Sequence, residues 1–341
     1  MSAKELLESE VIESMTSATI GGQELLLLGT VIMNEREPKQ LEGRVIAYQV
    51  QPNRTYKYVD AVKVPGVVYS INPIGNFAVL SVNGTIYLLD SLKLEEEEGQ
   101  RLGLVRKSLN QLMALCMHTK GEYLFVGDMI RSTSVYQLTI TDEGEPDLTQ
   151  LAADFHPFWM TATGIVQDDI YLGAESSYNI LTFKRNVEDA STDRVSQLEL
   201  AGGFYIGDLI NILCEGSLAS DISEHRVTQN SPYIFATANG SIGAIASISE
   251  DHFELLKNVE TNLLRILPNI GNLSHRSWRM VKCDTETGAA QNFVDGDLVE
   301  SFLRLRPTEK QMVVQGDNGG KSLECTVAQL QDLIESFSRL R

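Results

Sequence analysis

The sequence predicts a mainly β protein: a β-propeller of about five blades in residues 1–248, followed by a small α-helical C-terminal domain in residues 249–341. A short strand–turn–strand pattern recurs along the chain, and tight polar turns separate the strands. After Ile248 the hydrophobic period changes from two to about 3.6 residues. Strands at this spacing, with no long helix between them, argue against β–α–β units and favour a propeller over a large β-sandwich.

The repeat is clearest between Asp169 and Phe183, where a strand, a small residue, a polar turn and a second strand follow one another. One such unit cannot bury both of its faces, so it requires copies beside it. Four further segments share the pattern: Leu25–Val50, Asn76–Asp90, Glu122–Thr139 and Tyr233–Ile248. Their small residues are spaced about 46 to about 64 residues apart, near the roughly 40–50 residues of a propeller blade. They are Gly29, Ser81, Gly127, Gly173 and Thr237.

The segment before the first copy, residues 1–23, is expected to be a short polar lead. Propellers typically have four to eight blades, so five copies predict either a small closed ring or part of a larger one. In the C-terminal part, Ser249 is expected to cap a helix that runs to about Gly271. A second helix, opened by Asp297, is expected to end before Pro307, and Thr326 is expected to cap the last helix.

Composition argues against several classes of protein. A hydrophobic fraction of 43% and a charged fraction of 22% are ordinary for a soluble globular chain, and no stretch is apolar enough to predict a membrane span. Four cysteines without a C-x-x-C pair predict reduced thiols, as in the cytosol or nucleus. A net charge of −18 opposes binding to a phosphate backbone, so we expect nucleic acid to be contacted only indirectly, through another subunit.

Catalytic patterns are lacking in the sequence. The five histidines show no ligand spacing, and neither H-E-x-x-H nor G-x-S-x-G occurs. Gly316–Ser322 is similar to a phosphate-binding loop, but it is one residue too short and follows a helical stretch, so a turn is expected there. Asp168–Asp169 and Asp295–Asp297 lie in turn or cap contexts where aspartate serves the backbone. We therefore expect no enzyme, no metal and no cofactor.

Several motifs, taken together and in order, resemble a known family. They are TKGEYLFVGDMIRS from Thr119, ADFHPFWMTA from Ala153, ANGSIGAIASISE from Ala238, LSHRSW from Leu273 and NFVDGDLVESFL from Asn292. The family comprises the large subunits of damage-specific DNA-binding complexes, the A subunits of polyadenylation-specificity factors and a splicing-factor relative. The first motif and EPKQLEGR, from Glu37, favour the damaged-DNA-binding branch.

The resemblance implies a fold and a function. Full-length family members have three seven-bladed propellers and a helical C-terminal domain, and this sequence is similar to the later blades of the last propeller plus that domain. The family implies an adaptor of cullin-RING ubiquitin ligases, which holds substrate-receptor subunits in a cleft between its first and last propellers and is linked to DNA-damage recognition and repair. The protein partners are thus receptor subunits, with no small-molecule substrate and no membrane. The implied location is the nucleus, and also the cytoplasm.

The resemblance also places a receptor-facing surface on matching positions. An apolar centre surrounded by charge is typical of interface hot spots. Its acidic residues would meet basic residues of a receptor helix, and its arginine a receptor carboxylate. Three positions depart from the usual family residues: Val67 replaces alanine, Cys116 tyrosine and Leu209 phenylalanine, so either the usual receptors bind poorly or another partner is preferred. The other positions are Glu35, Glu37, Tyr69, Met113, Leu115, Arg131, Trp159, Asn211 and Ala238.

Other interpretations are compatible with the same residues. Trp159 is alternatively a core aromatic, Arg131 a solvated side chain, and one of the alternating faces around Met113 and Leu115 simply buried. At the level of the whole chain, the alternatives are an RNA-processing scaffold of the polyadenylation or splicing branch, a propeller hydrolase with carboxylates or histidines in its channel, and a truncated product without independent function.

Overall fold

The computed structural model describes residues 6–33, 41–92, 101–107, 113–142, 144–186, 196–217, 228–268, 271, 273–283, 287–317 and 319–340. Strands predominate among them, as the sequence predicted. The chain divides into two compact units: unit 1 contains residues 1–176 and 183–199, and unit 2 contains residues 177–182 and 200–341. The first helix begins just after residue 248, whose role as a domain boundary stays a prediction.

Unit 1 is built from antiparallel sheets of consecutive strands. The first sheet contains β1 (Glu10–Ile20), β2 (Gln23–Ile32), β3 (Gly43–Val50) and β4 (Tyr56–Val64) in that order. The second contains β5 (Val68–Ile74), β6 (Phe77–Val82), β7 (Thr85–Leu92) and β8 (Arg101–Lys107), and the third β9 (Ala114–Lys120), β10 (Tyr123–Asp128), β11 (Thr133–Ile140) and β12 (Pro146–Ala153). β13 (Met160–Gln167) and β14 (Ile170–Glu175) begin a fourth set, whose β15 (Asn179–Arg185) and β16 (Ser196–Tyr205) straddle the division between the units. The third and fourth sets are joined into one eight-stranded sheet, because β12 pairs in parallel with β16 at Ala152–Ser196 and Ala153–Gln197.

Unit 2 contains a three-stranded antiparallel sheet, a short hairpin and the helices. The sheet consists of β17 (Ile210–Glu215), β18 (Tyr233–Thr237) and β19 (Ile242–Ile245), and the hairpin of β20 (Val281–Lys282) and β21 (Thr287–Gly288). The helices are α1 (Glu250–Ile266), α2 (His275–Trp278), α3 (Gly296–Glu300), α4 (Pro307–Gln315) and α5 (Val327–Ser338), with a 3-10 turn at Ser301–Arg304. α1, α3, the 3-10 turn, α4 and α5 share one apolar core.

The predicted repeat is confirmed, since each of the five copies falls on two consecutive strands. They are β2 with β3, β6 with β7, β10 with β11, β14 with β15, and β18 with β19. Within unit 1, β5 lies against both β1 and β9, and β9 lies against β13, so the first strands of successive sheets are neighbours. Apolar residues fill the space between successive sheets, one cluster between the first and second and another between the second and third.

The small residue near the end of each second strand has a packing role in unit 1. A Cβ on Gly29 would lie 2.6 Å from Cγ1 of Val68, and a Cβ on Gly127 would lie 2.9 Å from Cβ of Met160. At the equivalent place Ser81 donates its hydroxyl hydrogen to the carbonyl oxygen of Ala114. In all three cases the neighbour is the first residue of the next sheet's first strand. Larger side chains would therefore hold successive sheets apart.

The expectation of a polar lead was wrong for residues 10–20, which form β1. Ala18 and Ile20 are buried in the core between the first two sheets, whereas Ile12 and Met15 are exposed on the other side. Because apolar side chains stand on both sides of the strand, the sequence shows no clean alternation of period two.

The first and last helices begin where the sequence predicted. Ser249 caps α1 by accepting a 3.3 Å hydrogen bond from the N–H of His252, and Thr326 caps α5 in a reciprocal capping box with Gln329. α1 ends at Ile266, short of the expected end near Gly271. The reason is Pro268, which disfavours helical geometry in the residue before it, and Leu267 is extended.

The second predicted helix is shorter and begins earlier than expected. Asp295, not Asp297, is the N-cap of α3, and the segment continues only as the 3-10 turn. Pro307 is the first residue of α4, a position where its missing N–H costs nothing. Beyond α4, the predicted turn is confirmed: Gly316 is left-handed, and the backbone of Lys321 is held by the side chain of Asn262 at 2.9 and 3.2 Å. Among the described helices, none is long and apolar enough to cross a bilayer.

Candidate partner-binding surface

One backbone hydrogen bond recurs in all five sets of strands and involves five of the twelve predicted surface residues. In each sheet, the residue that precedes the first strand accepts, through its carbonyl oxygen, the N–H of a residue just beyond the second strand. The pairs, acceptor first, are Ser9 with Met33 (2.9 Å), Val67 with Asn83 (3.3 Å), Met113 with Met129 (3.0 Å), Trp159 with Ser176 (2.9 Å) and Leu209 with Ala238 (2.8 Å).

Val67, Met113, Trp159 and Leu209 therefore occupy the same position in four successive sheets. They differ in exposure: Val67 is 6% exposed, Met113 and Leu209 are half-buried, and Trp159 is 45% exposed. Among Val67, Met113 and Trp159 of unit 1, Trp159 is therefore the most exposed.

A second equivalent position lies two residues further along the first strand. It is occupied by Tyr69, Leu115 and Asn211, of which the first two are half-buried and the third is exposed. In each of these strands the pairing register shifts at this residue, so the position is that of a β-bulge, where the alternation of side chains is interrupted. Ala114, between Met113 and Leu115, is fully buried, so one of the two faces expected to be buried there is buried.

The remaining predicted residues divide between turns and undescribed segments. Arg131 and Ala238 are exposed in the turns that follow β10 and β18. Leu209, Asn211 and Ala238 belong to unit 2, and the other described residues of the set belong to unit 1. Glu35 and Glu37 lie outside the described residues, so their place on the surface stays a prediction.

In unit 1 the turn that carries Arg131 is organised by a buried carboxylate that the sequence analysis missed. Oδ1 of Asp128 accepts the N–H groups of Ile130 and Arg131 at 2.9 and 3.0 Å, and Oδ2 accepts that of Met113 at 2.9 Å. The backbone of Asp128 also donates to the carbonyl oxygen of Ser132 at 2.8 Å. Asp128 therefore fixes the turn and the start of β9 relative to each other.

A second buried carboxylate holds the loop before β13. Asp154 is 3% exposed and accepts hydrogen bonds from the hydroxyl of Ser132 and from Nδ1 of His156. The imidazole of His156 stacks at 5.4 Å on Phe158, which is buried in the core. The hydrogen bond between Ser132 and Asp154 joins this loop to the turn that carries Arg131, so Asp154 holds both segments in place.

These two anchored segments present an apolar rim to solvent. Phe155 is 71% exposed, Ile130 is 54% exposed and Trp159 is 45% exposed. Trp159 is therefore not the core aromatic of the alternative interpretation. Phe155 and Ile130 were not predicted, because the burial of the aspartates that precede them is visible only in the structure.

Cys116 lies below this rim in β9. Its sulfur points inward towards the carbonyl oxygen of Gly127, at 3.9 Å, although the residue as a whole is partly exposed. Burial raises the pKa of the Cys116 thiol to about 12, so the thiol is neutral at physiological pH. Its contribution to the surface is that of a small apolar side chain.

Comparison with known proteins identifies the family. The pattern that defines the CPSF A subunit region matches residues 1–304 of this chain. The chain belongs to this family. The family resemblance predicted from the motifs is therefore confirmed.

Among its relatives are DNA damage-binding protein 1 of Oryza sativa subsp. japonica, the protein of the same name in Solanum lycopersicum, and DNA damage-binding protein 1a of Arabidopsis thaliana. Each is 31% identical to this chain over 313 residues. The match covers 92% of this chain but only 28% of each relative, as expected for similarity to the C-terminal part alone. The chain thus spans little more than a quarter of the length of these relatives.

Proposed function

We propose that this protein is a non-enzymatic scaffold that binds protein partners through the strand ends and turns around Trp159. In this proposal, the five sets of strands are blades of a seven-bladed type of propeller and the helices form a C-terminal domain. The partners are substrate-receptor subunits of a cullin-RING ubiquitin ligase that acts in DNA-damage recognition and repair. The protein acts in the nucleus, and also in the cytoplasm.

The observation that carries the proposal is the combination of exposed apolar side chains with buried anchors. Ile130, Phe155 and Trp159 are exposed to solvent, yet their loops are held by the carboxylates of Asp128 and Asp154. A loop that is already ordered loses less conformational entropy when a partner binds, and aromatic residues supply most hot-spot energy. The exposed Arg131 adds a charge for a partner carboxylate.

The overall charge supports a protein partner over a direct nucleic-acid contact. The chain carries a formal charge of −18, which repels phosphates and attracts basic protein surfaces. Among the described residues, no group of three histidine, cysteine, aspartate or glutamate side chains is arranged to hold a metal ion. The names of the relatives refer to DNA damage; in this proposal a partner subunit, and not this chain, contacts the DNA.

Affinity capture from nuclear extract tests the proposal. The tagged full chain is compared with a Trp159→Ala/Arg131→Glu variant, and captured proteins are identified by mass spectrometry. A matched control, Tyr56→Ala/Lys57→Glu, removes an exposed aromatic residue and reverses an exposed charge in the same unit, at the start of β4. We expect receptor subunits with the wild type and the control, and their loss with the Trp159→Ala/Arg131→Glu variant.

Two results would contradict the proposal. Identical sets of captured proteins with all three chains would mean that this surface binds none of them. Capture of polyadenylation or splicing factors in place of receptor subunits would favour the RNA-processing scaffold.

A further inference from the structure

Two sequence motifs that the proposed surface does not use, LSHRSW and NFVDGD, meet in unit 2 at the side chain of Arg279. Its Nε donates to Oδ2 of Asp295 at 2.6 Å, and its Nη1 donates to the carbonyl oxygen of Tyr205 at 3.1 Å. The guanidinium also lies over two aromatic rings, at 4.7 Å from the centroid of Phe204 and 5.7 Å from that of Trp278. Only 13% of the Arg279 side chain is exposed.

Asp295 connects this arginine to the helices. Its Oδ1 caps α3, and its Oδ2 accepts from Nε2 of His275 at 2.8 Å as well as from Arg279. The backbone N–H of Asp295 in turn donates to the carboxylate of Glu260, a buried residue of α1. Helix α1 therefore holds Asp295, and Asp295 holds Arg279.

At its other side, Arg279 holds the loop of residues 205–208, which leads into the surface. Gly207 has a φ of +91°, and a Cβ there would lie 3.2 Å from Cη2 of Trp278, so the loop passes directly beside the indole. Oδ1 of Asp208 accepts the N–H of Leu209 and Nδ2 of Asn239, both at 2.8 Å. The loop is thus fixed between the LSHRSW segment and the turn after β18.

We propose that Arg279, held by Asp295, is a positioning residue for the partner-binding surface. It sets the conformation of the 205–208 loop, and through that loop the placement of Leu209, Asn211 and Ala238. The role in binding rests on the proposed function. The coupling between the Arg279–Asp295 pair and the 205–208 loop does not, because it is a property of this chain alone. Breaking a buried, hydrogen-bonded ion pair leaves an uncompensated charge, so the loop should loosen when either partner is replaced.

Hydrogen exchange on the full chain tests the coupling without any partner. Asp295→Asn keeps an oxygen that can cap α3 but removes the charge that Arg279 binds. The matched control is Glu10→Gln, which removes the charge from the buried Glu10–Arg44 pair of unit 1. We expect the amides of Ile206, Gly207 and Leu209 to exchange at least tenfold faster in Asp295→Asn, with β18 unchanged, and to be unaffected in Glu10→Gln.

Arg279→Lys provides a second variant, because lysine keeps the charge but not the planar group that bonds Asp295 and Tyr205 while lying over the rings. It should accelerate exchange in the loop in the same way. Unchanged loop exchange in both variants would overturn the coupling. Equal acceleration in β18 and α5 would also overturn it, since that indicates general destabilisation.

Measuring receptor capture by the same variants distinguishes a failure of this inference from a failure of the proposed function. Receptor capture by Asp295→Asn should fall severalfold below that of Glu10→Gln, in proportion to the loosening of the loop. Faster loop exchange with undiminished capture would overturn the positioning role and leave the proposed function intact. Failure of the wild-type chain to capture receptor subunits would overturn the proposed function, and the positioning role with it.

Discussion

The backbone N–H of Met113 donates a 2.9 Å hydrogen bond to Oδ2 of Asp128, whose side chain lies in the interior beneath the turn that it supports. Because the other oxygen binds the N–H groups of Ile130 and Arg131, one carboxylate orders a strand start and a turn together. Met113 and Arg131 are both predicted partner-binding residues. Their relative placement therefore depends on a residue that is itself buried.

Replacement of Asp128 should destabilise the protein measurably. Asp128→Ala leaves three backbone donors without their acceptor, and an unsatisfied buried donor costs about 1–3 kcal/mol. Water can reach part of the turn, so we expect the free energy of unfolding, measured in urea, to fall by about 2–4 kcal/mol. Asp142→Ala, at an exposed position, is the control and should change it by less than about 0.5 kcal/mol. Equal effects of the two substitutions would show that the Asp128 bonds carry no net stability.

The Glu10–Arg44 pair should make unit 1 sensitive to acid. Burial of Glu10 opposes its ionisation, but hydrogen bonds from Arg44, Thr30 and the N–H of Leu7 lower its pKa from 4.5 to about 2. A carboxyl whose pKa is depressed on folding stabilises the protein fully above its unfolded pKa, and this contribution is lost as the pH falls towards the folded value. We expect a loss of up to about 3 kcal/mol between about pH 5 and pH 2, measured by urea unfolding at a series of pH values.

Glu10→Gln isolates this contribution because glutamine does not titrate. The variant should be less stable than the wild type at pH 7, and the difference in unfolding free energy should shrink as the pH falls from about 5 to 2. A difference that stays constant over this range would contradict the assignment to Glu10.

The close approach of successive sheets should make Gly127 intolerant of a side chain. A Cβ there would lie 2.6 Å from Sγ of Cys116 and 2.9 Å from Cβ of Met160, so Gly127→Ala overpacks the contact between the third and fourth sets of strands. Overpacking typically costs about 1–3 kcal/mol, which thermal unfolding would reveal as a lower Tm. Gly288→Ala, where no atom lies within 4 Å of the added Cβ, should leave Tm nearly unchanged. A similar Tm for both variants would mean that the sheets can separate at little cost.

The fold was predictable where its signals are local. A strand, a small residue and a turn recur within some 20 residues, and helix caps such as Ser249 and Thr326 act within one turn. β1 was missed because its apolar residues stand on both faces, and the start of α3 was misplaced because Asp295 and Asp297 are both plausible caps.

Of the candidate site, only the residues that lie in the family's sequence motifs could be predicted. The resemblance supplied Trp159 and Arg131, which are exposed, but it gave no sign of the residues that hold them in place. Asp128, Asp154 and Arg279 act through partners that the fold, not the local sequence, brings near; Arg279 and Tyr205 are separated by 74 positions. No local pattern distinguishes such an aspartate from one that serves an ordinary turn.

Phe158 and Trp159 are adjacent in the chain, yet they should respond in opposite ways to truncation. Phe158 is 4% exposed and packs against Phe183, whereas Trp159 is 45% exposed at the rim. Phe158→Ala should therefore lower the free energy of unfolding by about 3–5 kcal/mol, as is usual when a buried aromatic residue is removed. Trp159→Ala should lower it by less than about 1 kcal/mol, because most of the contacts that stabilise the fold remain.

For partner binding, we expect the larger effect in Trp159→Ala, the variant that loses less stability. Trp159→Ala, although stable, should lose receptor capture, while Phe158→Ala should retain it at temperatures where the variant is still folded by circular dichroism. The comparison is sharp because both changes remove an aromatic ring from the same loop. If Trp159→Ala proves as destabilising as Phe158→Ala, its indole contributes to the core, and a loss of capture would then reflect unfolding in place of a lost contact.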